Sequence, residues 1–151
     1  MRKTRLCFFL LCFSKILCLA QPPELAGIKT SLPHITDSLR YVDALNRIAM
    51  LMYEKNADST FYYTKRARDI ADRLNYDKGR ADALNNLGVF FFIKGNLQLA
   101  LRYYNEAYVG YRKLKDTADC VQSLMNIAMV YNDLGKHQRA LERFRAALNT
   151  G

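Results

Sequence analysis

From Val42 onward, apolar residues return every three or four positions. Leu45, Ile48, Ala49 and Met52 form one such run, Leu84, Leu87, Gly88 and Phe91 a second, and Leu124, Ile127, Ala128 and Tyr131 a third. That spacing collects each run on one face of a helix, and no segment alternates strictly as a half-buried strand would. Polar or glycine breaks fall at Asn56, Asp77 to Gly79, Gly95, Asp116 and Gly135. They predict paired helices over approximately 37–55 and 58–75, 78–94 and 97–114, and 117–134 and 137–149. Asp37, Asp58, Asp77, Asn96 and Thr117 are the expected N-caps, since a short polar side chain there can accept from an orphan backbone N–H. Ahead of them, Glu24 to Leu32 predicts a short helix ended by Pro33, with Leu25, Ile28 and Leu32 on the side that would cover the open end of the first hairpin.

The runs are repeats of one another. Leu45, Leu84 and Leu124 share a column, as do Ile48, Leu87 and Ile127, and Met52, Phe91 and Tyr131. In the second helices Thr60, Ala100 and Ala140, Phe61, Leu101 and Leu141, and Ala67, Ala107 and Ala147 recur at intervals of 40. Three tandem units follow, over approximately 42–80, 81–120 and 121–151, the first one residue shorter in its turn. Gly88 shares its column with Ala49 and Ala128, so that position demands smallness, not a positive φ. Gly95 and Gly135 each follow the last residue of a helix and suit a left-handed stop; Asn56 stands nearest to that role in the first unit.

The second unit, Leu84-x-x-Leu87-Gly88-x-x-Phe91-x-x-x-Gly95-x-x-x-x-Ala100-x-x-x-Tyr104-x-x-Ala107, resembles the tetratricopeptide repeat. So does the third, Ile127-Ala128-x-x-Tyr131-x-x-x-Gly135-x-x-x-x-Ala140-x-x-x-Phe144-x-x-Ala147; the first is weaker, with Thr60 and Thr64 at the small and aromatic positions. The family period is about 34 residues, and the longer second helix and link here resemble extracytoplasmic sensory regions of bacterial signalling proteins. The resemblance implies an all-α fold, a right-handed superhelical solenoid of three antiparallel hairpins over 37–151, with 21–36 as a linker carrying the short helix. It also implies a concave groove lined by the first helix of each unit. That groove would present Asn46, Arg47, Met50 and Tyr53, then Asn85, Asn86, Val89 and Phe92, then Met125, Asn126, Met129 and Asn132. Carboxamides offer both donors and an acceptor to a peptide backbone, and methionines give an adaptable apolar floor. Arg47 alone among them could grip a terminal carboxylate, which argues against that mode.

Composition sharpens the picture at the two ends. Arg2, Lys3 and Arg5 precede an apolar stretch from Leu6 to Phe13, Ser14 and Lys15 interrupt it, and Ala20 offers a cleavage point. Residues 1–20 therefore read as a signal peptide, or an anchor if uncleaved, and predict an exported, periplasmic protein. Lys+Arg exceed Asp+Glu by 23 to 14, but four of those cations lie in the first fifteen residues, so the remainder is only mildly basic and argues against nucleic acid. Of the four cysteines only Cys120 lies beyond the signal, which excludes an intramolecular disulfide. His34, His137 and Cys120 have no partners at metal-ligand or catalytic spacing, so the chain reads as noncatalytic and calls for no cofactor and no metal.

The first expectation is thus a scaffold that binds a peptide or protein segment in its groove. The alternative is the amino-terminal sensory segment of a larger sensor histidine kinase or transcriptional regulator. The weaker alternative is contact of the basic second helices (Arg102, Arg112, Lys113, Lys115, Arg139, Arg143 and Arg145) with membrane or nucleic acid. The bare face after Leu141, Phe144 and Leu148 further predicts self-association through the uncapped third unit.

Overall fold

The computed structural model describes residues 23–150, and among them there are seven α-helices and no strand. The signal-like start on which the export expectation rests lies outside the described residues. Among the described residues, 23–33 form one unit and those from His34 another. In the first, α1 (Pro23–Ser31) begins on proline, whose missing N–H costs nothing at a first helical position. Leu25 is its buried residue, and the Thr30 and Ser31 hydroxyls donate to the carbonyls of Ala26 and Ile28 at 3.0 and 3.1 Å. A 3-10 turn at Leu32–His34 follows.

The second unit holds three hairpins: α2 (Ser38–Met52) with α3 (Ala57–Leu74), α4 (Asp77–Ile93) with α5 (Leu97–Leu114), and α6 (Thr117–Asp133) with α7 (His137–Leu148). Each helix packs on its hairpin partner, and α4 and α6 pack in turn on α3 and α5. All six fall within a residue or so of the predicted spans, except that α2 stops three residues early. There the Met52 carbonyl accepts from both Lys55 and Asn56 N–H, at 3.0 and 2.8 Å, closing a tight turn that absorbs the missing residue. Asn56 consequently does not end α2 in a left-handed conformation. It has φ −156° and caps α3, with Oδ1 accepting from Ser59 N at 2.9 Å. Asp37 and Asn96 cap as predicted, whereas Asp58, Asp77 and Thr117 lie inside their helices; Asp116 caps α6 in place of Thr117.

The left-handed stops divide into two sets. Gly95 (φ 74°) and Gly135 (φ 70°) turn the chain within hairpins, as predicted. Asn75 (φ 51°) and Lys115 (φ 58°) turn it between units, and their successors Tyr76 and Asp116 donate N–H back to Ala71 and Tyr111 carbonyls at 2.9 and 3.0 Å. That backbone pairing ends α3 and α5 without glycine.

Gly88 makes room for one specific ring. A Cβ built there would lie 2.5 Å from Tyr104 Cδ1 and Cε1 and 2.9 Å from Cγ, and Tyr104 is buried with Ile127 and Val130 of α6. In the first unit the same two columns hold Ala49 and Thr64, so the smaller partner admits the methyl group. Thr60, where the other units hold alanine, donates to the Ala49 carbonyl at 3.1 Å. Tyr108 and Tyr111 join successive units: Tyr111 is buried with Ala81, Leu84, Ala107 and Cys120, while Tyr108 packs against that cluster and the Tyr104 cluster.

Candidate functional site

The first helices α2, α4 and α6 lie side by side and are tied by their asparagines. Asn46 Nδ2 donates to the Gly79 carbonyl at 2.9 Å, and Asn86 Nδ2 donates to the Asn46 carbonyl at 3.1 Å. One unit later Asn126 Nδ2 donates to Asn85 Oδ1 at 3.2 Å, and Gln122 Nε2 donates to Asn126 Oδ1 at 3.0 Å. The same two columns supply donor and acceptor at both junctions, so this is a repeating staple between successive units. Asn46 and Asn86 are only 4% and 5% exposed. The expectation that they face a ligand is corrected accordingly: burying a carboxamide is tolerable only when its hydrogen bonds are made, and these are made to neighbouring helices. Asn85 and Asn126 are half-buried and engaged in the same way.

The staple leaves an open face composed of the other predicted residues. Met50, Val89 and Met129 share one column, and Tyr53, Phe92 and Asn132 the next, with Met125 one turn before Met129. Met50, Met125, Met129 and Tyr53 are 40%, 42%, 48% and 37% exposed. Val89 and Phe92 are half-buried because they also pack against the cluster of Tyr104, Ile127 and Val130. Ile93, 45% exposed one turn from Val89, extends this apolar surface. Its column holds Glu54 and Asp133 in the other units, so the repeat gave no signal for it.

Polar groups at the edges are mostly satisfied locally. The Arg47 guanidinium reaches Met50 Sδ at 3.7 Å. The Tyr53 hydroxyl donates to Glu54 at 2.8 Å, and that bond, assisted by burial, raises the phenol pKa. Asn132 Oδ1 lies 3.0 Å from His137 Nδ1. Toward the other end, Lys78 Nζ bridges Asp82 and Asp119 at 2.6 and 3.0 Å, and the Tyr111 hydroxyl donates to Asp82 at 2.8 Å. Burial opposes the charge on Lys78, but the two carboxylate hydrogen bonds outweigh it and hold the ammonium above its usual range. Arg80 pairs with Asp77 and Asp72, and Lys94 with Asp58. The face is therefore apolar with self-compensated charges, which fits recognition by side-chain burial better than a carboxylate clamp.

The other candidate groups lie apart. Cys120 is buried, and desolvation with the nearby Asp116 charge pushes its thiol pKa up, the reverse of a reactive cysteine. His34 and His137 are exposed on separate elements. Among the described residues no group of three His, Cys, Asp or Glu side chains could hold a metal ion, and no helix is long and apolar enough to cross a membrane.

Comparison with known proteins places this architecture. Residues 79–150 match the family model of the tetratricopeptide repeat. No curated protein matches the sequence. Among solved structures, the chain is similar to a crystal structure of aspartyl phosphate phosphatase F from Bacillus subtilis, with a TM-score of 0.73 and 16% identity over 80% of this chain and 32% of that one. It is also similar to BtubC (BKLC) from P. vanneervenii, with a TM-score of 0.64 and 23% identity over 73% of this chain and 46% of that one. The chain thus spans less than half the length of either, and at these identities the likeness concerns the fold. Repeats of this type generally mediate protein–protein interaction and expose extended binding surfaces. Residues 79–150 belong to the tetratricopeptide repeat family, and the chain carries the all-α repeat fold of that family.

Proposed function

We propose that the protein is a noncatalytic scaffold whose open first-helix face binds an apolar-rich peptide segment of a partner protein. The observation that carries this reading is the cluster of Met50, Tyr53, Val89, Phe92, Met125 and Met129 on three successive first helices, most of it exposed. Apolar side chains gathered on one face mark interaction surfaces, and unbranched methionines adapt to varied partners. The asparagine staples hold the helices in register, so the partner meets a preformed surface. Export rests on the sequence alone: three cations ahead of the apolar Leu6 to Phe13 stretch support a partner outside the inner membrane.

Selection of a random-peptide display library on the full chain tests the proposal. Enriched peptides rich in Leu, Met and aromatic residues are expected, and their binding should fall at least about tenfold in Met50→Glu with Met129→Glu. Both side chains are exposed, so folding is preserved. Enrichment of peptides that bind this double variant equally well would reject the face as the site.

A further inference from the structure

Sulfur is unevenly distributed over the described residues. The thioethers of Met50, Met125 and Met129 are exposed on the open face of the first helices, whereas Met52 and the Cys120 thiol are buried. Every well-exposed sulfur among the described residues therefore lies where the partner peptide is proposed to bind. Met50 is the most informative of them. It is 40% exposed with the second unit packed after it, so its thioether is open within the array. Arg47, one turn earlier on α2, places Nη1 3.7 Å from Met50 Sδ. A thioether is a weak acceptor for that guanidinium. An oxygen added to the same sulfur would be a strong acceptor within its reach.

We propose that Met50, Met125 and Met129 are oxidation sites through which a peroxide switches the open face off and sulfoxide reduction switches it back on. The inference rests on the proposed binding of an apolar peptide to that face. In the forward step a thioether lone pair attacks one oxygen of hydrogen peroxide. The S–O bond forms and the O–O bond breaks, and the departing hydroxide takes the proton from the transferred oxygen and leaves as water. Sulfur loses two electrons and the peroxide gains them. A flexible apolar side chain thereby becomes a polar, chiral one. At Met129 an apolar partner residue would strip water from the sulfoxide oxygen without replacing its hydrogen bond, which opposes binding. At Met50 the new bond to Arg47 draws the side chain back along α2, away from a partner. The reverse step needs methionine sulfoxide reductases, one for each sulfoxide epimer, and a dithiol: the oxygen leaves as water and the dithiol becomes a disulfide.

The test treats the full chain with hydrogen peroxide and locates the added oxygen by peptide mass spectrometry. Met50 and Met129 should gain it at least about tenfold faster than buried Met52. Anisotropy with a fluorescent apolar peptide from the display selection should show about tenfold weaker binding after treatment, restored by the two reductases with dithiothreitol. The triple variant Met50→Leu, Met125→Leu, Met129→Leu, whatever its own affinity, should bind equally before and after peroxide. Circular dichroism should show unchanged helicity throughout. Oxidation of Met52 as fast as of Met50, a triple variant as peroxide-sensitive as the parent, or loss of helicity on treatment each overturns the proposal. Binding by the untreated chain that oxidation leaves undiminished overturns this proposal alone, whereas no binding of apolar peptides by the untreated chain overturns it together with the reading on which it rests.

Discussion

Adding one methyl group at Gly88 separates the packing account from simple helix propensity. Alanine is better than glycine in a helix interior by about 1 kcal/mol, so propensity alone predicts that Gly88→Ala stabilises the protein. The surroundings oppose this. The new Cβ would stand 2.5 Å from two ring carbons of Tyr104 and 2.9 Å from Cγ, the atom nearest the backbone, so the clash cannot be relieved by moving only the ring's far end. Tyr104 is 4% exposed and hemmed in by α6, so retreat means displacing Ile127 and Val130. Overpacking of this kind costs about 1–3 kcal/mol. The net expectation is a loss of about 1–2 kcal/mol, read as a lower urea midpoint with unchanged m. The first unit supplies the control, because its Ala49 column faces Thr64. In a Tyr104→Thr background the same Gly88→Ala change should reverse sign and gain about 1 kcal/mol, whatever Tyr104→Thr costs by itself. Stabilisation by Gly88→Ala in the parent chain, or an equal effect in both backgrounds, would refute the reasoning.

Four further outcomes follow. Asn86→Ala should cost about 1–3 kcal/mol in urea unfolding, because it withdraws the donor from the buried Asn46 carbonyl; a neutral result would deny the staple its role. Ser123→Ala should stabilise by about 1 kcal/mol, since the Ser123 hydroxyl is buried without a hydrogen-bond partner among the described residues; a loss of that size would contradict this. Lys115→Gly should raise the melting temperature by relieving a left-handed lysine that costs about 1 kcal/mol, and a lowered one would count against the strain. Above pH 10 the melting temperature should fall. Burial raises the Tyr104 phenol, burial and then Asp82 raise Tyr111, and burial with the Asp43 hydrogen bond brings Tyr76 up to about 12. Phenols that ionise later in the folded chain than in the unfolded one give stability that is complete below pH 10 and lost as pH rises through the folded pKa. Tyr76→Phe should flatten the decline between about pH 10 and 12, and an unaltered slope would contradict the assignment.

The repeat was legible because its period is carried by apolar columns, and burial of those columns is what positions the helices. Gly95 and Gly135 were legible for a local reason, since both stand where a left-handed residue ends a helix. The early stop of α2 was not, because removing one residue from a hairpin can be absorbed by either helix or by the turn, and here the backbone bonds to the Met52 carbonyl close the turn. Nor were Asn75 and Lys115 as left-handed residues. Their conformation is stabilised by backbone bonds to Ala71 and Tyr111 and leaves no mark in side-chain type. Of the residues expected to line the groove, Met50, Tyr53, Met125 and Met129 are exposed, whereas Asn46 and Asn86 are buried. Helical periodicity fixes a residue's direction within its own helix, whereas burial of a boundary position depends on how close the next unit approaches. The diagonal recurrence of the pairs Asn46 with Asn86 and Asn85 with Asn126 was the available clue.

The central claim is that the open face of the first helices is where a partner peptide lies, and the chain contains its own reporters for it. Methyl-labelled methionine gives separate signals for Met50, Met125 and Met129, which are exposed on that face, and for Met52, which is only 8% exposed. Titration of the full chain with a peptide selected from the display library should shift the first three methyl resonances in proportion to occupancy and leave Met52 nearly unmoved. Saturating binding that leaves Met50, Met125 and Met129 unshifted would contradict the account.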